Sequence, residues 1–163
     1  MDFFRRAEKR PTTFGHSRIL VPLLGEPSVD DPALKVAALL LAGHEQAEVS
    51  LLHVIEVPFE RTLDAEDEGA VVRADEILSR GEGLLAEKGI ATRTSTVQAR
   101  AAGPAIVDDA NELGTDLIVR GLRYKQRFGG QWDAGRTVPY VMRNSTAPVW
   151  CLRAETKELA NTT

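Results

Sequence analysis

The sequence lacks several features that define whole classes of protein. Its 163 residues include one cysteine, Cys151, so no intramolecular disulfide can form and we expect a reducing compartment. It contains no run of about 18 apolar residues that could span a membrane. Its first residues lack the apolar core and cleavage site of a signal peptide. These absences predict a cytoplasmic protein without direct membrane insertion.

The sequence also lacks a net positive charge. The formal net charge is −4 and the pI is about 5.4, so the chain as a whole does not attract nucleic acid, and we expect no DNA or RNA partner. Hydrophobic residues make up 43% and charged residues 27%, which is typical of a globular domain. A chain of about 150 residues buries roughly 70% of its unfolded surface, enough for one core without disulfides.

Short apolar runs alternate with segments of helical period along the chain. The five predicted strands cover residues 19–23, 49–57, 92–98, 117–119 and 149–153. Four helices are predicted between them: the first begins at Pro32, the second covers 67–88, the third begins at Gly103-Pro104, and the fourth covers 137–144.

This alternation predicts an α/β fold with a single five-stranded parallel sheet, doubly wound, with helices on both faces and strand order 3-2-1-4-5. The polar third strand should lie at one edge. We expect a flexible arm over residues 1–16, one domain over 17–154 and a flexible tail over 155–163.

The loop after the fourth predicted strand is the strongest functional signal. It begins at Gly121, is rich in cations, contains the pair Gly129-Gly130, and ends at Gly135 before the last predicted helix. In open α/β sheets, ligands bind at the carboxyl ends of strands, and the N–H groups of a helix start favour anions. The loop therefore predicts a nucleotide or phosphate site, and its four cations are Arg123, Lys125, Arg127 and Arg136.

Four segments, ILVPLLG, SLLHVIEVP, AGPAIVDDANELGTDLIVRG and GRTVPYVMRNSTAPVWCLR, together resemble the universal stress protein family over residues 18–153. The resemblance implies a five-stranded α/β fold that often dimerises through its last strand. One branch of the family binds ATP through a signature of Gly, two residues, Gly, nine residues, Gly, then Ser or Thr. That branch also has an Asp two residues after the Pro of the first strand. The loop and GRTVPYV further resemble a subgroup found beside, or fused to, bacterial amino-acid permeases.

The chain departs from the ATP-binding signature. Pro22 is present, but Leu24 occupies the Asp position and cannot accept a hydrogen bond from a ribose hydroxyl. Tyr124 stands where the second glycine is expected, and Gly135 lies one residue late, followed by Arg136. We therefore expect ATP to bind more weakly than micromolar, through an anion site in the 122–137 loop.

The resemblance and the loop together define the candidate residues. The predicted nucleotide or phosphate site comprises Pro22, Leu24, Gly25, Val54, Gly121, Arg123, Gly129, Gly130, Gly135, Arg136 and Thr137, and the predicted dimer interface comprises Val149, Trp150, Cys151 and Leu152. Candidate ligands are ATP, AMP and a cyclic dinucleotide. The expected partners are a second copy of the chain and a transporter or another regulatory protein. No metal site is expected, because the histidines and Cys151 lack metal-ligand spacing.

Three functions remain open at this level. The leading one is a regulatory module that binds a nucleotide or another phosphorylated small molecule, without catalysis, since no nucleophile has an adjacent base. The alternatives are a weak nucleotide hydrolase or phosphotransferase with Glu26 or Asp133 on a metal, and a dimeric scaffold with an empty pocket. His53 is expected to be a packed or hydrogen-bonded core residue. The adjacent Asp30 and Asp31 are expected to be helix caps or solvated surface.

Overall fold

A computed structural model describes residues 15–123, 125–126 and 132–153. Within these ranges the elements run in the order β1 (Arg18–Leu23), α1 (Pro27–Leu41), β2 (Glu48–Glu56), α2 (Glu68–Ala86), β3 (Thr92–Ala99), α3 (Ala102–Glu112), β4 (Leu117–Leu122), β5 (Lys125–Gln126), β6 (Trp132–Asp133), α4 (Thr137–Asn144) and β7 (Val149–Arg153).

Five strands form one parallel sheet in the order β3-β2-β1-β4-β7. The prediction of a doubly wound sheet with order 3-2-1-4-5 is confirmed, because β7 is the fifth strand of this sheet. The polar strand β3 lies at one edge and β7 at the other, as predicted. Strands β1 and β4 are neighbours, with Ile19 opposite Leu117, so the direction of strand addition reverses between them. This topological switch point is where a doubly wound sheet opens a ligand crevice.

Alternate residues of the central strands point to opposite faces of the sheet. On one face, Val21 and Val119 pack with Leu34 of α1 and Leu78 of α2. On the other face, the core cluster joins residues of β1, β2 and β4 to α3 and α4: Leu20, Leu52, Ile106, Val107, Ala110, Ile118 and Val141. Both faces are therefore covered, which explains why the strands read as continuous apolar runs rather than as alternating ones.

Two elements differ from the predictions. Helix α1 begins at Pro27 rather than at Pro32, which lies inside the helix. Both prolines fit a helix start, and the second removes only one backbone hydrogen bond near the beginning of the helix. The short antiparallel pair of β5 and β6, Lys125 opposite Asp133, was not predicted, because two-residue strands have no periodicity to detect.

No helix in the described part of the chain is long and apolar enough to cross a membrane. The predicted tail, and the predicted arm except Gly15 and His16, lie outside the described residues, as do Gly129 and Gly130.

Candidate functional site

A cavity of about 310 Å³ opens at the carboxyl ends of β1, β2 and β4, beneath the start of α4. We call it the crevice. Its lining residues are Pro22, Leu23, Leu24, Leu52, His53, Val54, Glu56, Ala102, Ile106, Arg120, Arg123 and Thr137. Of the predicted site residues, the structure therefore brings Pro22, Leu24, Val54, Arg123 and Thr137 together at one place.

A second and larger cavity of about 540 Å³ lies on the α2 side of the same edge of the sheet. Its charged lining comes from the β2–α2 connection and α2, including Arg61, Asp67 and Arg73. It shares Leu24, His53, Val54 and Glu56 with the crevice, so the two cavities meet over the end of β2. Gly25 lines this cavity and not the crevice.

His53 separates the two cavities and has a structural hydrogen bond. Its Nδ1 lies 3.0 Å from the carbonyl oxygen of Leu23, at the end of the neighbouring strand β1. A carbonyl oxygen only accepts, so Nδ1 carries a proton and donates this hydrogen bond. The expectation of a hydrogen-bonded histidine is confirmed.

The loop after β1 is held by an internal carboxylate. Asp30, in the first turn of α1, accepts hydrogen bonds from the backbone N–H groups of Leu24 (2.9 Å), Gly25 (2.8 Å) and Glu26 (3.2 Å). Its side chain is buried, so the expectation of a cap or solvated residue was wrong for Asp30. The loop amides are consequently already satisfied by the protein.

Burial raises the pKa of Asp30, while the N–H groups of Leu24 and Gly25 and the charge of Arg120 oppose that rise. The neighbouring carboxylate behaves differently. Asp31 is partly exposed and accepts two hydrogen bonds from Arg80 of α2, at 2.7 and 2.9 Å. Adjacent residues of a helix point in different directions. Here Asp30 holds the loop after β1 by hydrogen bonds, and Asp31 links α1 to α2 through Arg80.

Arg123 bridges the two loops that border the crevice. Its Nε donates to Glu26 Oε2 at 2.9 Å, and its Nη2 pairs with Glu26 Oε1, which makes the ion pair bidentate. The loop after β1 and the loop after β4 therefore face each other. Glu26 partly neutralises the charge of Arg123, which reduces the pull of this cation on an incoming anion.

Gly121 has a packing role. A Cβ at this position would lie 1.9 Å from the backbone oxygen of Val29, far inside contact distance. Only glycine allows α1 to approach β4 this closely. The first signature glycine is therefore explained by the contact between helix and sheet, independently of any ligand.

The start of α4 is the clearest anion-favouring feature of the crevice. Gly135 has φ +72°, and its N–H donates to Asp133 Oδ1 at 2.9 Å, which closes a turn before the helix. Arg136 is the N-cap residue and makes no side-chain cap, and Thr137 is the first helical residue. The helix start thus presents backbone N–H groups beside the Thr137 hydroxyl at the crevice wall.

Arg120 is the residue that the sequence reading missed. It belongs to β4, only 4% of its surface is exposed, and it lines the crevice. Its Nε is buried without a hydrogen-bond partner. Burial lowers the pKa of its guanidinium, against the opposing charges of Asp30 and Glu56. A cation in an apolar central strand beside a glycine was the available signal, because such a position is covered on both faces.

Few of the described residues are suited to hold a catalytic metal or to act as a nucleophile. Among residues 15–123, 125–126 and 132–153, no group of three or more His, Cys, Asp or Glu is placed to hold a metal ion. Of the two candidate carboxylates, Glu26 pairs with Arg123 and Asp133 accepts from the Gly135 N–H. Burial raises the pKa of the Cys151 thiol, which makes it a poor nucleophile at neutral pH.

These features define a doubly wound α/β domain with a ligand crevice at its topological switch point. The family model described as "Universal stress protein family" matches residues 15–153. The chain therefore belongs to the universal stress protein family. A search of curated proteins finds no match.

Solved structures show the same fold at low sequence identity. A hypothetical protein whose biochemical function was assigned from its structure is 22% identical, with a TM-score of 0.71, covering 87% of this chain and 99% of that chain. The universal stress protein from Archaeoglobus fulgidus in complex with dAMP is 23% identical, with a TM-score of 0.61 and coverage of 83% and 97%. A universal stress protein family protein from Arabidopsis thaliana with AMP bound is 12% identical, with a TM-score of 0.63 and coverage of 90% and 97%.

Proposed function

We propose that this chain is a regulatory module that binds an adenine mononucleotide in the crevice. The observation that carries the proposal is the crevice itself, which joins Leu24 and Val54 to Arg120, Arg123 and Thr137 at the carboxyl edge of the sheet. Two structures with the same fold hold AMP and dAMP. A volume of about 310 Å³ lies at the small end of the roughly 300–1,000 Å³ of ligand pockets.

The binding mode follows from the lining. The apolar side chains of Leu24, Val54 and Ile106 suit the base and sugar, whereas Thr137 and the α4 N-terminus suit a phosphate. Leu24 offers the ribose no acceptor, and Asp30 already occupies the amides of the loop after β1. The phosphate therefore contributes more of the affinity than the sugar does.

We propose binding without turnover. Glu26 and Asp133, the two carboxylates suited to hold a metal for hydrolysis, both have protein partners. The alternative, a weak hydrolase, requires magnesium-dependent phosphate release from ATP that disappears in Glu26→Gln or Asp133→Asn. Release that both variants retain would be assigned to a contaminant.

We further propose that the chain is a homodimer and passes its ligand state to a transporter or another regulatory protein. Strand β7 is an edge of the sheet, and an apolar edge strand is an aggregation liability unless it is paired. Pairing β7 with its symmetry mate would cover the predicted interface residues Val149, Trp150, Cys151 and Leu152. Sedimentation velocity should show a dimer; a monomer at tens of micromolar would contradict this part of the proposal.

Calorimetric titration with AMP, ATP, adenosine and cyclic di-AMP tests the ligand proposal. We expect AMP to bind, adenosine to bind more weakly, and Thr137→Val to lose about three- to tenfold in AMP affinity, the equivalent of one hydrogen bond of about 1 kcal/mol. Thr146→Val is the matched control, because the Thr146 hydroxyl donates to Asn111 at 2.8 Å and neither residue lines the crevice. If no compound produces heat or backbone amide shifts at millimolar concentration, the scaffold with an empty pocket replaces this proposal.

A further inference from the structure

Arg120 is a buried cation whose Nε has no hydrogen-bond partner in the described part of the chain. Its Nε is enclosed and makes no hydrogen bond, and none of the ion pairs found among the described residues includes it. A buried cation without hydrogen bonds is costly, and proteins rarely retain one except for function. The burial of Arg120 must therefore be explained either by a ligand that binds it or by a structural role.

The surrounding carboxylates do not provide that reason. The negative charges of Asp30 and Glu56 interact with Arg120, but both carboxylates accept hydrogen bonds from other groups. Asp30 holds the amides of the loop after β1, and Glu56 accepts from the backbone N–H of Ala102 at 2.7 Å. They lower the cost of keeping a cation at this depth without supplying it with hydrogen bonds.

Arg120 lines the crevice from β4, inside the sheet. Arg120 is on the face of β4 that carries Ile118, the same face as α3 and α4, and it shares the cavity lining with Thr137 and Ala102. An anion that enters beside Thr137 would meet both the α4 N-terminus and Arg120. Guanidinium is the side chain best suited to bind phosphate oxygens bidentately.

We infer that Arg120 is a ligand-binding residue that takes the phosphate of a phosphorylated ligand in the crevice, and so selects phosphorylated over unphosphorylated compounds. This inference rests on the proposed function, since it assigns the phosphate subsite of the same crevice. It also gives the buried cation its missing acceptor. Ligand and protein then compensate each other's charge out of contact with water, where a charge-assisted hydrogen bond is strongest.

The test compares Arg120→Met, Arg120→Lys and Arg80→Met with the unmodified protein, using AMP, adenosine and inorganic phosphate as probes. We expect Arg120→Met to weaken AMP binding by about tenfold or more, the equivalent of a lost charge-assisted hydrogen bond, and to leave adenosine binding unchanged. Arg120→Lys should restore part of the loss, because it keeps the charge but not the bidentate geometry. Arg80→Met removes a cation whose partner, Asp31, lies outside the crevice, and should change nothing in AMP binding.

Stability separates this role from a structural one. Asp30 and Glu56 offset the buried charge of Arg120 only in part, so removing that charge should leave the melting temperature of the ligand-free Arg120→Met protein equal to or above that of the unmodified protein. A structural Arg120 would instead lower it, because its removal would leave Asp30 buried without a counter-charge. A lower melting temperature, or AMP binding as tight as in the unmodified protein, overturns the inference. If the unmodified protein binds inorganic phosphate through Arg120 but not AMP, the nucleotide proposal fails and the phosphate subsite stands.

Discussion

Gly121→Ala should destabilise the domain strongly, because the added Cβ would collide with the backbone of α1. The added Cβ would lie 1.9 Å from the Val29 backbone oxygen, and such atoms need at least 3.0 Å. The opposing atom belongs to the backbone of α1, so no rotamer change can relieve the clash. The helix or the strand must move by about an ångström, and backbone shifts of this kind are one source of the cost of overpacking.

The expected cost is at the upper end of the range for overpacked sites, about 3 kcal/mol. That is a large share of the roughly 5–15 kcal/mol that stabilises a typical domain, but it leaves the protein folded. Gly83→Ala is the matched control, since Gly83 lies inside α2 and no described atom lies within 4 Å of its added Cβ. The same substitution should there stabilise the protein by about 0.5–1 kcal/mol, because alanine is the better helix former.

Urea denaturation followed by far-ultraviolet circular dichroism measures both free energies of unfolding. The midpoint should fall for Gly121→Ala and rise for Gly83→Ala, with similar slopes. If Gly121→Ala lies within about 0.5 kcal/mol of the unmodified protein, the range of an ordinary surface substitution, the packing explanation of this glycine is wrong. Its place in the signature would then have to be explained by the ligand.

Three further predictions concern the crevice and the capping of α2. Leu24→Asp should strengthen ATP binding about ten- to a hundredfold by calorimetry, as one charge-assisted hydrogen bond would; unchanged affinity would mean that the sugar lies elsewhere. Arg136→Ala should weaken AMP binding and flatten its salt dependence, whereas Arg143→Ala, in the last turn of α4, should do neither. The Ala70 N–H and Arg61 lower the pKa of Asp67, so its stabilisation is complete above the ordinary value of 3.8 and is lost as pH falls through the lowered value. Asp67→Asn should therefore flatten the loss of stability below pH 3.8, and an unchanged acid limb would contradict the role of this cap.

The sheet could be predicted from the sequence because its strands have simple signals. Apolar runs such as 49–57 are characteristic of strands buried on both faces, and the alternation with helices restricts the topology to a few solutions. The start of α1 could not be predicted, because Pro27 and Pro32 satisfy the same local rule. Asp30 of α1 accepts hydrogen bonds from the loop amides just before Pro27, a contact that the local sequence pattern does not reveal.

The charges of the site were harder to predict than its position. The sequence placed both Arg123 and Arg136 among the anion-binding residues, yet the structure pairs Arg123 with Glu26. Arg120 was overlooked because a single charge in an apolar run does not disturb the strand pattern. Ion pairs between residues 97 positions apart, such as Arg123 with Glu26, depend on the tertiary structure and have no local signature.

The distribution of charge explains how an acidic chain can bind an anion. Asp30 accepts hydrogen bonds from the amides of one loop, and Glu26 pairs with Arg123 and partly offsets its charge, so both attract a ligand less. Among the described residues, the other positive groups at the crevice are the exposed start of α4 and the buried Arg120. Salt screens the first over about 8 Å, whereas burial protects the second. Salt should therefore slow the arrival of an anion more than it weakens the final bound state, so salt dependence should be steeper in the association rate than in the dissociation rate.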